Sequence, residues 1–197
     1  MVYFQTLQEI LSNPVHAILK AKKERNTNKS VAILFVDWVL FALGASLVMF
    51  KFAKFFTLLV FFSVFVLGLL GSLFFSLLVQ IIFNILGSKG KYFDALTALA
   101  YSKFPLSLGV VIVSVLSYLP LAGLLISIIV LSIFGAMAIA TFYRGLKELF
   151  GLDIITTWIG IGLLMFVLFV AFYLGVMINF STNLFLNKFT QPSFPLY

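Results

Sequence analysis

Between Val31 and Ile178 the chain alternates long apolar runs with short, mostly basic connections. In a hydrocarbon slab about 30 Å thick every backbone amide needs an internal partner, so apolar runs of about 20 residues have to be helices. Five spans are expected, at about 31–50, 55–86, 105–119, 120–141 and 154–178. The second run carries no charge from Phe55 to Leu86. At ~1.5 Å per residue it outgrows the slab and must tilt, bend or project. Gly68 and Gly71 are its candidate bend sites, and Gln80 and Asn84 mark where its end leaves the hydrocarbon. Phe93, Leu96, Leu99 and Ala100 share one face of a stretch, Tyr92 to Lys103, that either lies in the interface or begins span three. The charge-free run from Phe104 to Tyr143 is too long for one crossing, and Pro120, between Tyr118 and Gly123, is the expected turn.

Outside the spans two segments remain. Residues 1–30 place Phe4, Leu7, Ile10 and Leu11, then Val15, Ile18 and Leu19, at helical spacing on either side of Asn13-Pro14. That pattern predicts two short amphipathic helices lying on the inner leaflet. Without a continuous apolar core and a small-residue cleavage site, the segment does not read as a removable signal peptide. Residues 179–197 combine Asn, Gln, two prolines and aromatics and read as an outer-side cap. The Asn179-Phe-Ser181 sequon there sits too near the membrane to carry weight. The fold class is therefore an all-α, polytopic membrane helical bundle of five transmembrane helices with N-terminal interfacial amphipathic helices.

Charge orients this bundle. Of 197 residues 63% are hydrophobic and 10% charged, with a net charge of +7. Five spans with the N-terminus inside put Lys20, Lys22, Lys23, Arg25, Lys29, Lys89, Lys91, Lys103, Arg144 and Lys147 on the inner side. Lys51, Lys54 and Lys188 fall outside, and the C-terminus with them, as the positive-inside rule prefers. Fusing spans three and four would leave the charge asymmetry nearly unchanged, so length decides for five. The basic residues read as membrane orientation rather than nucleic-acid binding. The cluster from Lys20 to Lys29 faces anionic lipid headgroups in one reading, at roughly 1 kcal/mol per residue. The plainer reading is an anchor without lipid selectivity.

Reactive groups are scarce. One histidine, His16, six acidic residues and no cysteine give no HExxH pair, thiolate site or P-loop, and the carboxylates are too scattered for a two-metal cluster. No enzyme, metal or cofactor is expected. Asp37 is the only acidic residue inside an expected span, and an intramembrane carboxylate is a functional-site hypothesis by default. The preferred reading is structural: Asp37 locks span one to its neighbours through Lys103, Arg144 or Lys147. The other is an ion or proton site. Ser76, Gln80, Asn84, Ser114 and Ser117 either line a path or hydrogen-bond between helices, as membrane bundles do routinely.

Three segments together carry a family resemblance. Val36-Asp37-Trp38 opens span one. Gly87-Ser-Lys-Gly90-Lys91 leads into Ala98-Leu-Ala-Tyr101-Ser-Lys-Phe-Pro105. Tyr143-Arg-Gly-Leu-Lys-Glu-Leu-Phe-Gly151 links spans four and five. They resemble the Asp-x-Trp element, the glycine-rich loop with its Gly-Tyr segment and proline, and the polar link of the Ypt-interacting-protein (YIP) family of five-span membrane proteins. Here the first element lacks its spacer residue, and Ala100 replaces the usual glycine. Eukaryotic members carry a long disordered N-terminal region and associate with Rab-type GTPases, and this chain lacks such a region. The resemblance implies a compact prokaryotic member in the cytoplasmic membrane, with a trafficking-related or scaffold-like role.

Two functions follow as expectations. One is a non-enzymatic membrane protein that organises membrane or cytoplasmic partner proteins through its basic inner face. The other is a small ion channel or transporter, homo-oligomeric in one version, using Asp37, Gln80 and Asn84. The two differ in whether those polar groups converge on a continuous cavity or on a dry helix contact.

Overall fold

The computed structural model describes residues 2–24 and 26–190. They form seven helices: α1 (Val2–Ser12), α2 (Pro14–Glu24), α3 (Thr27–Phe52), α4 (Thr57–Ile85), α5 (Tyr92–Leu116), α6 (Leu121–Phe150) and α7 (Ile154–Thr190), with a short 3-10 turn at Lys54–Phe56 before α4. α3 to α7 are each long and apolar enough to cross a membrane. This is an all-helical integral membrane protein with five crossing helices.

Local chemistry sets the boundaries. The Asn13 side chain accepts the His16 backbone N–H at 3.1 Å, and Pro14 opens α2 where a missing N–H costs nothing. Asn26 caps α3 through the Lys29 N–H at 3.2 Å. α5 starts at Tyr92, well before Pro105, because the Asp94 carboxylate accepts the Lys91 N–H at 2.7 Å and fixes a helix start there. The amphipathic stretch thus begins the third crossing, and Pro105 lies inside α5 instead of opening it. The polar segment after Tyr143 continues α6 to Phe150, and Gly151 ends it at φ +67°, a conformation that favours glycine. α4 is one uninterrupted helix past Gly68 and Gly71. α7 continues beyond the expected end near Ile178, so residues 179–190 of the anticipated cap are helical. The remainder of that cap, 191–197, lies outside the described residues.

α5 is the centre. α1, α2, α3, α4 and α6 all pack against it, whereas α7, among the described residues, packs sparsely and chiefly on α4 and α6. Residues 95–102 of α5 are buried without interruption, a run that only the middle helix of a bundle sustains. One apolar cluster joins Ile10, Ala17 and Ile18 to Ile33 and Leu34 of α3 and to Leu96, Ala100, Tyr101 and Phe104 of α5. A second joins Phe83 of α4, Ala98 of α5, Leu146 and Phe150 of α6 and Leu164 of α7.

The N-terminal helices therefore rest on protein. Ile10 and Ile18 are fully buried, although Val15 and Leu19 stay exposed. Glu9 ties the two helices together, accepting from Lys20 Nζ at 2.9 and 3.0 Å. The Lys20 hydrogen bond holds the Glu9 carboxyl below the usual carboxylate range.

Ile18→Ala should cost about 2–5 kcal/mol and speed proteolytic cleavage within α1–α2, read by mass spectrometry of limited digests. Helices merely adsorbed to lipid would show no such change. Because the Glu9 pKa is lowered in the folded chain, its contribution is present above the unfolded carboxylate pKa and is lost as pH falls through the folded one. Cleavage in this segment should accordingly rise below the usual carboxylate range, and Glu9→Gln should flatten that rise.

Candidate functional site

α3 and α5 both run away from the α1–α2 end, side by side. Four residues of α3 spaced seven apart meet α5 or the Ser117 cap at its end in turn. Ser30 Oγ lies 2.8 Å from Thr97 Oγ1. Asp37 Oδ1 accepts a hydrogen bond from Ser107 Oγ. The Gly44 carbonyl accepts from Ser114 Oγ at 2.7 Å. Lys51 Nζ donates to the Ser117 carbonyl at 2.7 Å. A seven-residue repeat keeps one stripe of a helix facing its neighbour. Gly44 is needed for closeness, since a Cβ there would stand 2.8 Å from Val110 Cγ1.

Asp37 is the charged rung. At ~1.5 Å per residue both Asp37 and Lys103 stand about 15 Å from the starts of their helices, so they meet at one level inside the membrane. Lys103 Nζ lies 3.3 Å from Asp37 Oδ2, an ion pair not aligned as a hydrogen bond. The same ammonium sits 3.0 Å from the centroid of the Trp38 ring and 5.8 Å from that of Phe41. Asp37 and Ser107 are fully buried, and the Lys103 side chain keeps 17% exposure. Trp38 reaches the other way: its Nε1–H donates to Ser72 Oγ of α4 at 2.7 Å. Its ring covers Gly68, where a Cβ would fall 2.1 Å from the indole. Asp37 and Trp38 thus bind α3 to two different helices. Gly68 serves as the seat of a ring.

The other sequence-selected residues lie apart from this pair. Gln80 is half-buried near the end of α4, and Asn84 is exposed, accepting from Ser88 Oγ at 3.1 Å. Gly87 adopts φ +88° in the α4–α5 turn, and Gly90 lies where a Cβ would be 2.1 Å from the Phe150 ring. Gly87 is there for its backbone conformation and Gly90 for the space that the Phe150 ring takes. Tyr101 is buried against the α1–α2 cluster. Lys22, Lys23, Lys89, Lys91 and Arg144 are exposed and Lys147 is half-buried at the α1–α2 end. Lys29 is buried and paired with Glu24 at 2.9 Å. Lys103 does not join that surface but faces Asp37; Arg144 and Lys147 are not its partners in the ion pair. Arg25 lies outside the described residues. Among the described residues no three His, Cys, Asp or Glu side chains gather as a metal site. Ser114 takes the interhelical hydrogen-bonding alternative, whereas the sequence reading missed Ser107 and Gly44 as seam residues; the seven-residue spacing of Ser30, Asp37, Gly44 and Lys51 was the available signal.

A family model described as the Yip1 domain matches residues 9–177. The chain belongs to the Yip1-domain family. The matched region takes in the last turn of α1, all of α2 to α6 and α7 as far as Met177, so the Yip1 domain here comprises α2 and the end of α1 together with the five crossings. Neither the curated proteins nor the solved structures contain a match to this chain. Within this Yip1 domain, the Asp37-Trp38 pair and the Gly87–Gly90 turn have the physical duties just described: joining α3 to α5 and α4, and admitting Phe150 beside the backbone.

Removing one member of a buried pair strands the other charge. Asp37→Asn and Lys103→Met should each lower stability by about 3–5 kcal/mol, read as thermal unfolding in detergent. The double variant Asp37→Leu with Lys103→Met should recover most of that loss. Additive losses in the double variant would show that the two groups are uncoupled.

Proposed function

We propose that this Yip1-domain protein is a non-enzymatic organiser of membrane or partner proteins, with a trafficking-related or scaffold-like role. It presents the α1–α2 end of the bundle to the cytoplasm and its C-terminus to the opposite side. The observation that carries this reading is the docking of α1 and α2 onto α3, α5 and α6, which holds one broad basic surface in fixed shape. Lys22, Lys23, Lys89, Lys91 and Arg144 are exposed on it. Near an anionic leaflet each is worth about 1 kcal/mol, so the surface suits anionic headgroups or an acidic protein partner. A compact prokaryotic member in the cytoplasmic membrane fits this arrangement. The charged pair supports the same reading, because Asp37 ends in a helix contact and Gln80 and Asn84 stand on another level. A channel or transporter would use those groups along one path. Neither Asp37 nor Ser107 lines the three clefts beside α4 and α7.

Photo-cross-linkers placed at Lys89 and Arg144 in native membranes should yield discrete protein adducts that one at Phe55 does not. The reading fails if there are no adducts and the purified protein also leaves liposome shape and lipid distribution unchanged. In planar bilayers wild type and Asp37→Asn should both be silent. Reproducible conductance altered by the substitution would put the channel in its place.

A further inference from the structure

α4 and α6 meet through side chains, Phe75 on Phe142 and Phe83 on Phe150 with ring centroids 6.1 and 5.3 Å apart. Between them three clefts meet around Phe75. One is lined by Trp38, Gly68, Gly71, Ser72 and Lys103. Another runs between α4 and α7 past Leu78, Ile82 and Leu168, with a volume near 600 Å³. The third is lined by Leu99, Ala138, Phe142, Trp158, Leu164 and Met165. Joined at Phe75 they make a furrow, with α5 lining the first and third clefts and the sparsely packed α7 the second and third. Its walls are mostly aliphatic and aromatic, with Ser72, Ser102 and Lys103 as the polar lining at the deep end.

All of this furrow lies along crossing helices, so the phase around it is hydrocarbon. Apolar walls reject water, and an unfilled gap forfeits the dispersion contacts of its lining atoms. A flexible hydrocarbon chain satisfies both demands. The shallow end suggests what that chain is attached to. Tyr143 and Trp158 pack there with ring centroids 5.3 Å apart, the pairing of amphipathic rings found at the headgroup level. Arg144, one residue further along α6, is exposed beside them, and an arginine suits phosphate.

We propose that this furrow is a retained-lipid site, holding one acyl chain of a membrane phospholipid whose phosphate lies near Arg144. The chain covers the side of Lys103 that protein leaves open and keeps the Asp37–Lys103 pair out of contact with water. The site shares Arg144 with the basic surface at the α1–α2 end and otherwise lies apart from it.

The chain has two tryptophans, and Trp158→Phe leaves Trp38, which lines the furrow, as sole reporter. This protein would be reconstituted in vesicles of phosphatidylcholine with a rising fraction of the same lipid brominated at mid-chain. Trp38 emission should be quenched. Gly71→Phe, where a Cβ meets no atom within 4 Å, should fill the furrow and remove most of that quenching. Unquenched Trp38, or equal quenching with Gly71→Phe, overturns the proposal. Native mass spectrometry of wild-type protein after exhaustive detergent washing gives a reading independent of any variant folding. One retained phospholipid is expected, and its absence, or retention of detergent or free fatty acid alone, overturns the proposal as well.

Discussion

Helices in lipid gain nothing by hiding apolar surface from apolar surroundings, so this bundle depends on the hydrogen-bonded seam between α3 and α5. Ser30, Asp37, Gly44 and Lys51 bring four rungs of that seam to one stripe of α3. Between them they fix both the register of the two helices and their separation. Gly44 lets the backbones close, and the polar partners would be costly in hydrocarbon if the helices slid by one turn. Trp38, adjoining the charged rung, extends the same constraint to α4 through Ser72. The position of α3 relative to α5 and α4 is thus settled by a few polar contacts within the membrane.

A charged rung is an expensive way to join helices. Taking a carboxylate and an ammonium out of water costs several kcal/mol per ion, and their attraction returns this only with good geometry. Ser107 and the aromatic faces of Trp38 and Phe41 supply that geometry. What the pair contributes beyond an apolar contact is selectivity: Asp37 has one low-energy position along α5, whereas a leucine would have several. That is the use of buried polar groups best suited to a bundle whose surface is otherwise uniformly apolar.

The rest of the molecule divides by how closely it follows this seam. α1 and α2 cover the ends of α3, α5 and α6 and complete an apolar cluster in which Ile10 and Ile18 are fully buried. Their basic residues consequently stand in fixed positions, as a docking or headgroup surface requires. α7 is the opposite case. It meets α4 and α6 at few places, Gly160 against Phe83 among them, and from Met165 to Asn179 it is exposed along its whole circumference. The furrow beneath it follows from that loose packing.

The sequence by itself determined the helical class, the five crossings and the two N-terminal helices. Unbroken apolar runs leave the backbone no other structure in lipid, and Asn13-Pro14 separates two amphipathic periods. The glycine-rich turn and the Asp37-Trp38 element also gave the family. Helix ends were less legible: Tyr92, Phe150 and the continuation past Ile178 depend on local caps and on whether a polar residue has a buried partner. Only the tertiary structure decided that Lys103 leaves the basic surface for Asp37, that Ile18 faces protein instead of lipid, and that Gln80 and Asn84 stand away from the charged pair. Hydrophobicity records how deeply a residue avoids water. It does not record which neighbour provides the shelter, because lipid and a second helix are equally apolar, and only the pairing of α3 with α5 separates the two.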